Sequence, residues 1–173
     1  MNIIQTNCAK MLNARKYNNV EIQEEENTIT ATDASGKNIM VLILEDDRLN
    51  INTVKSSIST FIDNDIDIGI LLHNGDPTSS AKKTLTNLDS SGRIKISIFP
   101  IENFRYCITD HRLVFPHSRL KKDDAAKIKK TYDASKLPIL MSSDVIARYY
   151  NFKPGEIISI LRRDNTISYR IVK

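Results

Sequence analysis

Cysteine is scarce in this chain: Cys8 and Cys107 are its only two, far apart, with no Cys-x-x-Cys pair and no second pair to complete a metal site. That excludes a disulfide framework and a dithiol redox centre, and leaves two ordinary buried or half-buried thiols in a reducing compartment. Long apolar runs are missing too. None approaches the roughly 20 residues that span a bilayer, and Met1 to Lys10 has neither the basic start nor the apolar middle of a signal peptide. The chain is therefore expected to stay inside a cell, or inside a virus particle made there. Catalytic punctuation is equally thin. There is no Gly-x-Ser-x-Gly elbow, no Gly-rich loop opening a helix, and His73, His111 and His117 fall in no motif that pairs them with a nucleophile. Neither a catalytic residue nor a cofactor or metal is expected.

What is present is a soluble composition, 40% hydrophobic and 27% charged over 173 residues, enough for one compact domain or two small ones. Charge is uneven. Residues 1–104 carry 10 Lys+Arg against 14 Asp+Glu, a net −4, while residues 105–173 carry 15 against 7, a net +8. An acidic half beside a basic half suggests two modules with different neighbours, and either nucleic acid or an acidic protein fits the basic one.

The N-terminal half reads as alternating elements. Ile4, Ala9, Met11, Leu12 and Ala14 fall at helical spacing within 3–17, and Glu24 to Asn27 is a solvated turn. Strands are expected over 28–32 and 39–44, joined across Gly36, the second continuously apolar as for a strand covered on both faces. Val54, Ile58, Phe61 and Ile62 share one face of a helix over 52–64. A strand over 66–72, a helix over 79–88 and a strand from Arg93 to Phe99 complete a small α/β layer with parallel strands and right-handed crossovers.

The stretch from Leu137 to Lys173 is the most informative. Asp144 can cap a helix through Tyr150, and Asn151 tolerates the left-handed exit. Lys153-Pro154-Gly155-Glu156 fits a type II turn, because Pro fixes φ at its second position and Gly supplies the positive φ at its third. Two β-branched runs, 156–162 and 166–172, flank Arg163-Asp164-Asn165 as a tight hairpin. Just upstream, 121–132 is an amphipathic helix with acids early and bases late, matching the helix dipole.

The order Asp-x-x-Ala-Arg-Tyr-Tyr from Asp144, Lys-Pro-Gly-Glu, Ile-x-x-x-Arg ending at Arg162, and Tyr-Arg-x-Val from Tyr169 resembles the C-terminal domain of one family. That family comprises the fifth subunit shared by the eukaryotic nuclear RNA polymerases and its counterpart in archaeal RNA polymerase. Residues 109–117 are similar to the family's His-x-Leu-Val-Pro-x-His linker, with His111, His117 and Leu113-Val114 kept and the Pro displaced by one. Leu71 to Gly75, followed by Asp76-Pro77-Thr78 and Ala81-Lys82, resembles the jaw domain of the eukaryotic form, which the archaeal counterpart lacks. There the Pro precedes the Thr and one residue is inserted. Val145 stands where the family has Pro, Asn151 replaces a Gly, and the hairpin between Arg162 and Tyr169 is shortened. The short N-terminus, displaced prolines and many isoleucines suit a divergent lineage, a large DNA virus among the options.

The resemblance implies an α/β N-terminal jaw domain of nuclease-like outline over 1–108, a linker over 109–120, and a small α+β C-terminal assembly domain over 121–173. It implies a non-catalytic subunit of a multisubunit DNA-dependent RNA polymerase, located in the nucleus of a cell or in the cytoplasm or virion of a virus. The C-terminal domain would dock on the largest subunit and the jaw would flank downstream duplex DNA. The residues expected to bind partners are Arg148, Tyr149, Gly155, Arg162, Tyr169 and Arg170; Pro77, Lys82 and Lys83 would lie near DNA. Arginine forks and tyrosine rings suit interfaces. Tyr149 and Tyr169 suit a core equally well, and Arg148 lies one helical turn from Asp144. His111 and His117 would hydrogen-bond at the domain junction, since no third or fourth ligand accompanies them.

Two other readings stay open, an independent nucleic-acid-binding regulator and a nuclease. The nuclease reading needs acids and a following Lys to hold and use Mg²⁺. Asp63, Asp65 and Asp67 supply the acids, yet nowhere does an Asp or Glu precede a Lys by two positions. The trio reads better as a solvated helix end entering a strand.

Overall fold

The structure, a computed structural model, describes residues 2–44, 46, 48–91, 94–133 and 135–173, the side chains of 89–91 excepted. The chain is an α+β protein with two sheets, and it divides into two compact units, Met1–Cys107 and Ile108–Lys173.

In the first unit, helix α1 (Ile3–Ala14) begins with a capping box: Asn2 accepts from the Ile4 N–H and Gln5 accepts from the Asn2 N–H, both at 3.2 Å. These bonds occupy backbone donors that a helix start leaves unpaired. Strands β1 (Asn18–Gln23), β2 (Thr28–Thr32) and β3 (Asn38–Ile43) follow as an antiparallel meander. The apolar pattern did not predict β1. Asn18 and Asn19 disfavour a strand, Asn19 sits at φ 51°, and the register slips between Asn18 and Glu21. Such irregularity suits an edge strand.

From β3 onward the expected alternation is present: α2 (Ile51–Asp63), β4 (Ile68–His73), α3 (Ser79–Ser91) and β5 (Lys95–Pro100), with β3, β4 and β5 parallel. Arg93, the expected start of the last strand, lies outside the described residues. The sheet is mixed, ordered β1-β2-β3-β4-β5, because the meander adds an antiparallel half to the parallel one. Both apolar runs, β3 and β4, are buried at every position after the first. Met40, Leu42 and Leu71 meet Phe61 of α2 in one cluster, and Leu49, Val54 and Ala81 form another. Phe61 packs so closely on β4 that a Cβ at Gly69 would lie 2.4 Å from its ring.

The second unit is built on a sheet ordered β6-β8-β9-β7. Strands β8 (Ile157–Leu161) and β9 (Ile167–Val172) form the expected hairpin, closed by the Arg162 N–H donating to the Thr166 carbonyl at 2.8 Å, with Asn165 at φ 60°. Strand β6 (His117–Arg119) pairs antiparallel with β8, and β7 (Ile139–Leu140) parallel with β9. The stretch 109–120, expected as a linker, therefore lies within the second unit and supplies an edge strand. Only three residues long and largely polar, β6 carries no alternation that a sequence reading could detect.

Strand periodicity separates the core into two layers. Ile157 and Ile171 join Leu137 on one face, where Ala125 and Ile128 of α4 (Lys122–Tyr132) pack. Their neighbours Ile158 and Val172 join Leu140, Phe152 and Ala147 of α5 (Val145–Tyr149) on the other. Successive strand side chains point to opposite faces, so one short hairpin is covered by a helix on each side.

Candidate assembly surface

Helix α5 is fixed at both ends by the residues the sequence singled out. The Asp144 carboxylate accepts from the Ile146 N–H at 2.8 Å, and Asn151 leaves the helix at φ 54°. The following turn closes with the Glu156 N–H donating to the Lys153 carbonyl at 3.1 Å and Gly155 at φ 86°. Sequence reasoning missed the brace behind it. Glu156 accepts from both the Lys153 N–H (2.8 Å) and Arg119 Nε (2.9 Å), while Arg119 Nη2 donates to the Asn151 carbonyl at 3.0 Å. The same guanidinium lies 5.6 Å from the Phe152 ring centre. No local pattern around Arg119 announces these partners, which lie more than thirty positions away.

The expected partner-binding residues divide between the two faces of the sheet and the turn. Tyr149 is only 6% exposed and lies edge-on to Tyr150, ring centres 5.2 Å apart. Arg148 is half-buried, and that burial pulls its pKa below the ordinary value. Gly155 is exposed in its turn, where its N–H donates to the Val172 carbonyl (2.9 Å) and its own carbonyl accepts from Lys129 Nζ (2.8 Å). Tyr169 lies on the α4 face beside Tyr132, ring centres 6.3 Å apart.

Arg162 and Arg170 lie on the α5 face and come together at a cleft of about 230 Å³. Leu113, Val114 and Phe115 form one wall, with Leu140, Ile146 and Ile160 as apolar floor and His117 and Asp144 alongside. Arg162 stands 5.2 Å from the Phe115 ring centre and donates through Nε to Ser168 Oγ at 3.0 Å. Arg170 donates through Nη1 to the Ile139 carbonyl at 3.2 Å. Arg163 reaches the other way, to the Arg112 carbonyl at 2.8 Å, and also stands over Phe115 at 5.9 Å. Phe115 is thus an arginine platform, a role its sequence context gave no sign of.

The two junction histidines hold backbone. His117 Nδ1 is 2.6 Å from the Phe115 carbonyl, so that nitrogen carries the proton. In His111 the arrangement is reversed, Nδ1 accepting from the Leu113 N–H at 3.3 Å. Burial pushes the pKa of His117 below its ordinary value, opposed by the Phe115 hydrogen bond and the Asp144 charge.

In the first unit, Pro77 is half-buried between β4 and α3, and Thr78 follows it as the helix cap, accepting from the Ala81 N–H at 3.3 Å. The inverted Pro-Thr order therefore leaves a capping hydroxyl in place. Lys82 and Lys83 are exposed in the early turns of α3. Of the acidic trio, Asp63 ends α2, Asp65 sits at φ 53°, and the Asp67 carboxylate accepts from the Asn38 N–H at 2.9 Å. Among the described residues no group of three or more His, Cys, Asp and Glu could hold a metal ion.

The second unit is a small sheet covered by a helix on each face, with an arginine-rimmed cleft. Comparison with known proteins shows what the chain resembles. Residues 106–172 match the family model for the C-terminal domain of RNA polymerase Rpb5. A protein of Invertebrate iridescent virus 6, provisionally named DNA-directed RNA polymerase subunit 454R, is 28% identical over 129 residues, covering 68% of each chain. The DNA-directed RNA polymerases I, II, and III subunit RPABC1 of Caenorhabditis briggsae is 25% identical over 150 residues, 83% of this chain and 70% of the relative. Its Dictyostelium discoideum counterpart is 25% identical over 139 residues, 77% and 71% of the two chains. The resemblance drawn from the motifs is borne out, to cellular and viral relatives alike.

Proposed function

We propose that this protein is a non-catalytic subunit of a multisubunit DNA-dependent RNA polymerase. The observation that carries the reading is the match of residues 106–172 to a polymerase-subunit domain, a span that nearly coincides with the second compact unit. The relatives' names, each that of a DNA-directed RNA polymerase subunit, point the same way. In this reading the second unit docks on the largest subunit through its arginine-bearing surface, and the first unit is the jaw that flanks downstream duplex DNA. Pro77, Lys82 and Lys83 then meet the sugar-phosphate backbone without reading sequence. The protein works wherever its polymerase does, in a nucleus or in the cytoplasm or virion of a virus. Tagged full-length chain recovered from gently lysed native cells should carry the polymerase largest subunit with it; a chain that elutes alone would overturn the reading.

A further inference from the structure

We propose that the cleft between the Leu113–Phe115 wall and the Ile146 and Ile160 floor seats an extended acidic segment of a partner polypeptide. One apolar side chain of that segment anchors on the floor, and its carboxylates meet Arg162 and Arg170. This rests on the assembly reading of the second unit and adds the chemistry of the segment it captures.

Three observations favour such an occupant. The floor is apolar and Leu113 on the wall is 61% exposed, so an apolar anchor would remove from water a surface the chain itself leaves open. Among the described residues each guanidinium donates one hydrogen bond, Arg162 to Ser168 and Arg170 to the Ile139 carbonyl, and neither is ion-paired with a carboxylate. The remaining N–H groups of each fork suit a carboxylate. Residues 105–173 are also net +8, so an acidic chain is drawn toward this unit.

Other ligands fit less well. At 230 Å³ the cleft is smaller than the roughly 300–1,000 Å³ of small-molecule sites. A phosphate backbone would gain nothing from the apolar floor. Asp144 accepts from the Ile146 N–H, and among the described residues it forms no ion pair with either arginine.

Isotope-labelled full-length chain titrated with the capped peptide Glu-Asp-Leu-Phe-Glu-Asp tests this. Saturable amide shifts are expected at 113–117, 144–146, 160–162 and 170. A counterpart with Lys in place of every acid should bind at least about tenfold more weakly, and Arg162→Gln with Arg170→Gln should weaken the acidic peptide by about tenfold or more. Leu113→Asp adds a repelling carboxylate at an exposed position and should abolish binding without touching the core, which covers the case where the double variant misfolds. Equal binding of both peptides, shifts confined to α4, no saturable shift, or displacement of the peptide from the cleft by a short DNA duplex would each overturn the proposal. Peptide binding that survives while no polymerase subunit copurifies would instead overturn the subunit reading and leave the cleft assigned.

Discussion

Gly69 in the middle of β4 is held by packing, and replacing it tests how the first unit is assembled. A Cβ at this position would lie 2.4 Å from Phe61 Cε2 and 2.8 Å from two further ring atoms. Carbon atoms settle at ~3.5–4.0 Å, so the ring must retreat by more than ~1 Å. It has nowhere to go: Phe61 is fully buried, against Met40, Leu42 and Leu71. Overpacking of this kind costs about 1–3 kcal/mol, so Gly69→Ala should lower the unfolding free energy of the first unit by that amount, moving its urea midpoint down without changing the slope. Phe61→Leu alone should cost about 1–2 kcal/mol through the space it leaves. Combined, the two should cost less than their sum by about 1 kcal/mol, because the smaller side chain yields room to the new methyl. Circular dichroism would follow unfolding, and amide exchange at Ile70 and Leu71 would assign the transition to this unit. A Gly69→Ala variant as stable as the parent, or a strictly additive pair, would refute the packing argument.

Further expectations concern the second unit and the thiols. Gly155→Ala meets no atom within 4 Å, so its cost, about 1–2 kcal/mol, should come from the left-handed backbone alone, and Gly155→Asn should recover part of it in denaturant titrations. Arg119→Ala removes two hydrogen bonds and a ring contact on a half-exposed side chain, and should cost about 1 kcal/mol with faster exchange of the Glu156 amide. His117 has a folded pKa below its ordinary value, so the neutral ring's contribution is fully present above about pH 6.5 and is lost as pH falls through that value toward the folded pKa. His117→Asn should flatten the fall in urea midpoint between pH 7.5 and 5.5; an equally steep fall in the variant would refute the assignment. Burial pushes the Cys8 thiol up to about 12, so Ellman's reagent should reach Cys8 only on unfolding and Cys107 in the native protein.

Much of this architecture was legible because it rests on local rules. Continuous apolar runs gave β3 and β4, and Asp144, Asn151 and Gly155 marked where α5 and the following turn begin and end. What escaped is what only tertiary contacts create. Strand β1 is irregular and led by asparagines, and β6 is three largely polar residues, so neither has a period to read. Tyr149 and Tyr169 look alike in sequence, yet Tyr149 on α5 is buried while Tyr169 lies on the α4 face with Tyr132. The brace of Arg119 on Glu156 and the stacking of Arg162 and Arg163 on Phe115 join residues far apart in the chain. No spacing rule pairs an arginine with a ring some fifty positions away. The cleft is of the same kind, assembled from three separate segments that only the sheet order brings together.

Copurification from native cells is the most direct measurement on the central claim. Tagged full-length chain should elute with the largest subunit of an RNA polymerase, and Leu113→Asp should release it while Lys127→Ala on α4 does not. Elution as a free monomer from the same gently prepared lysate, with the parent sequence intact, would contradict the account.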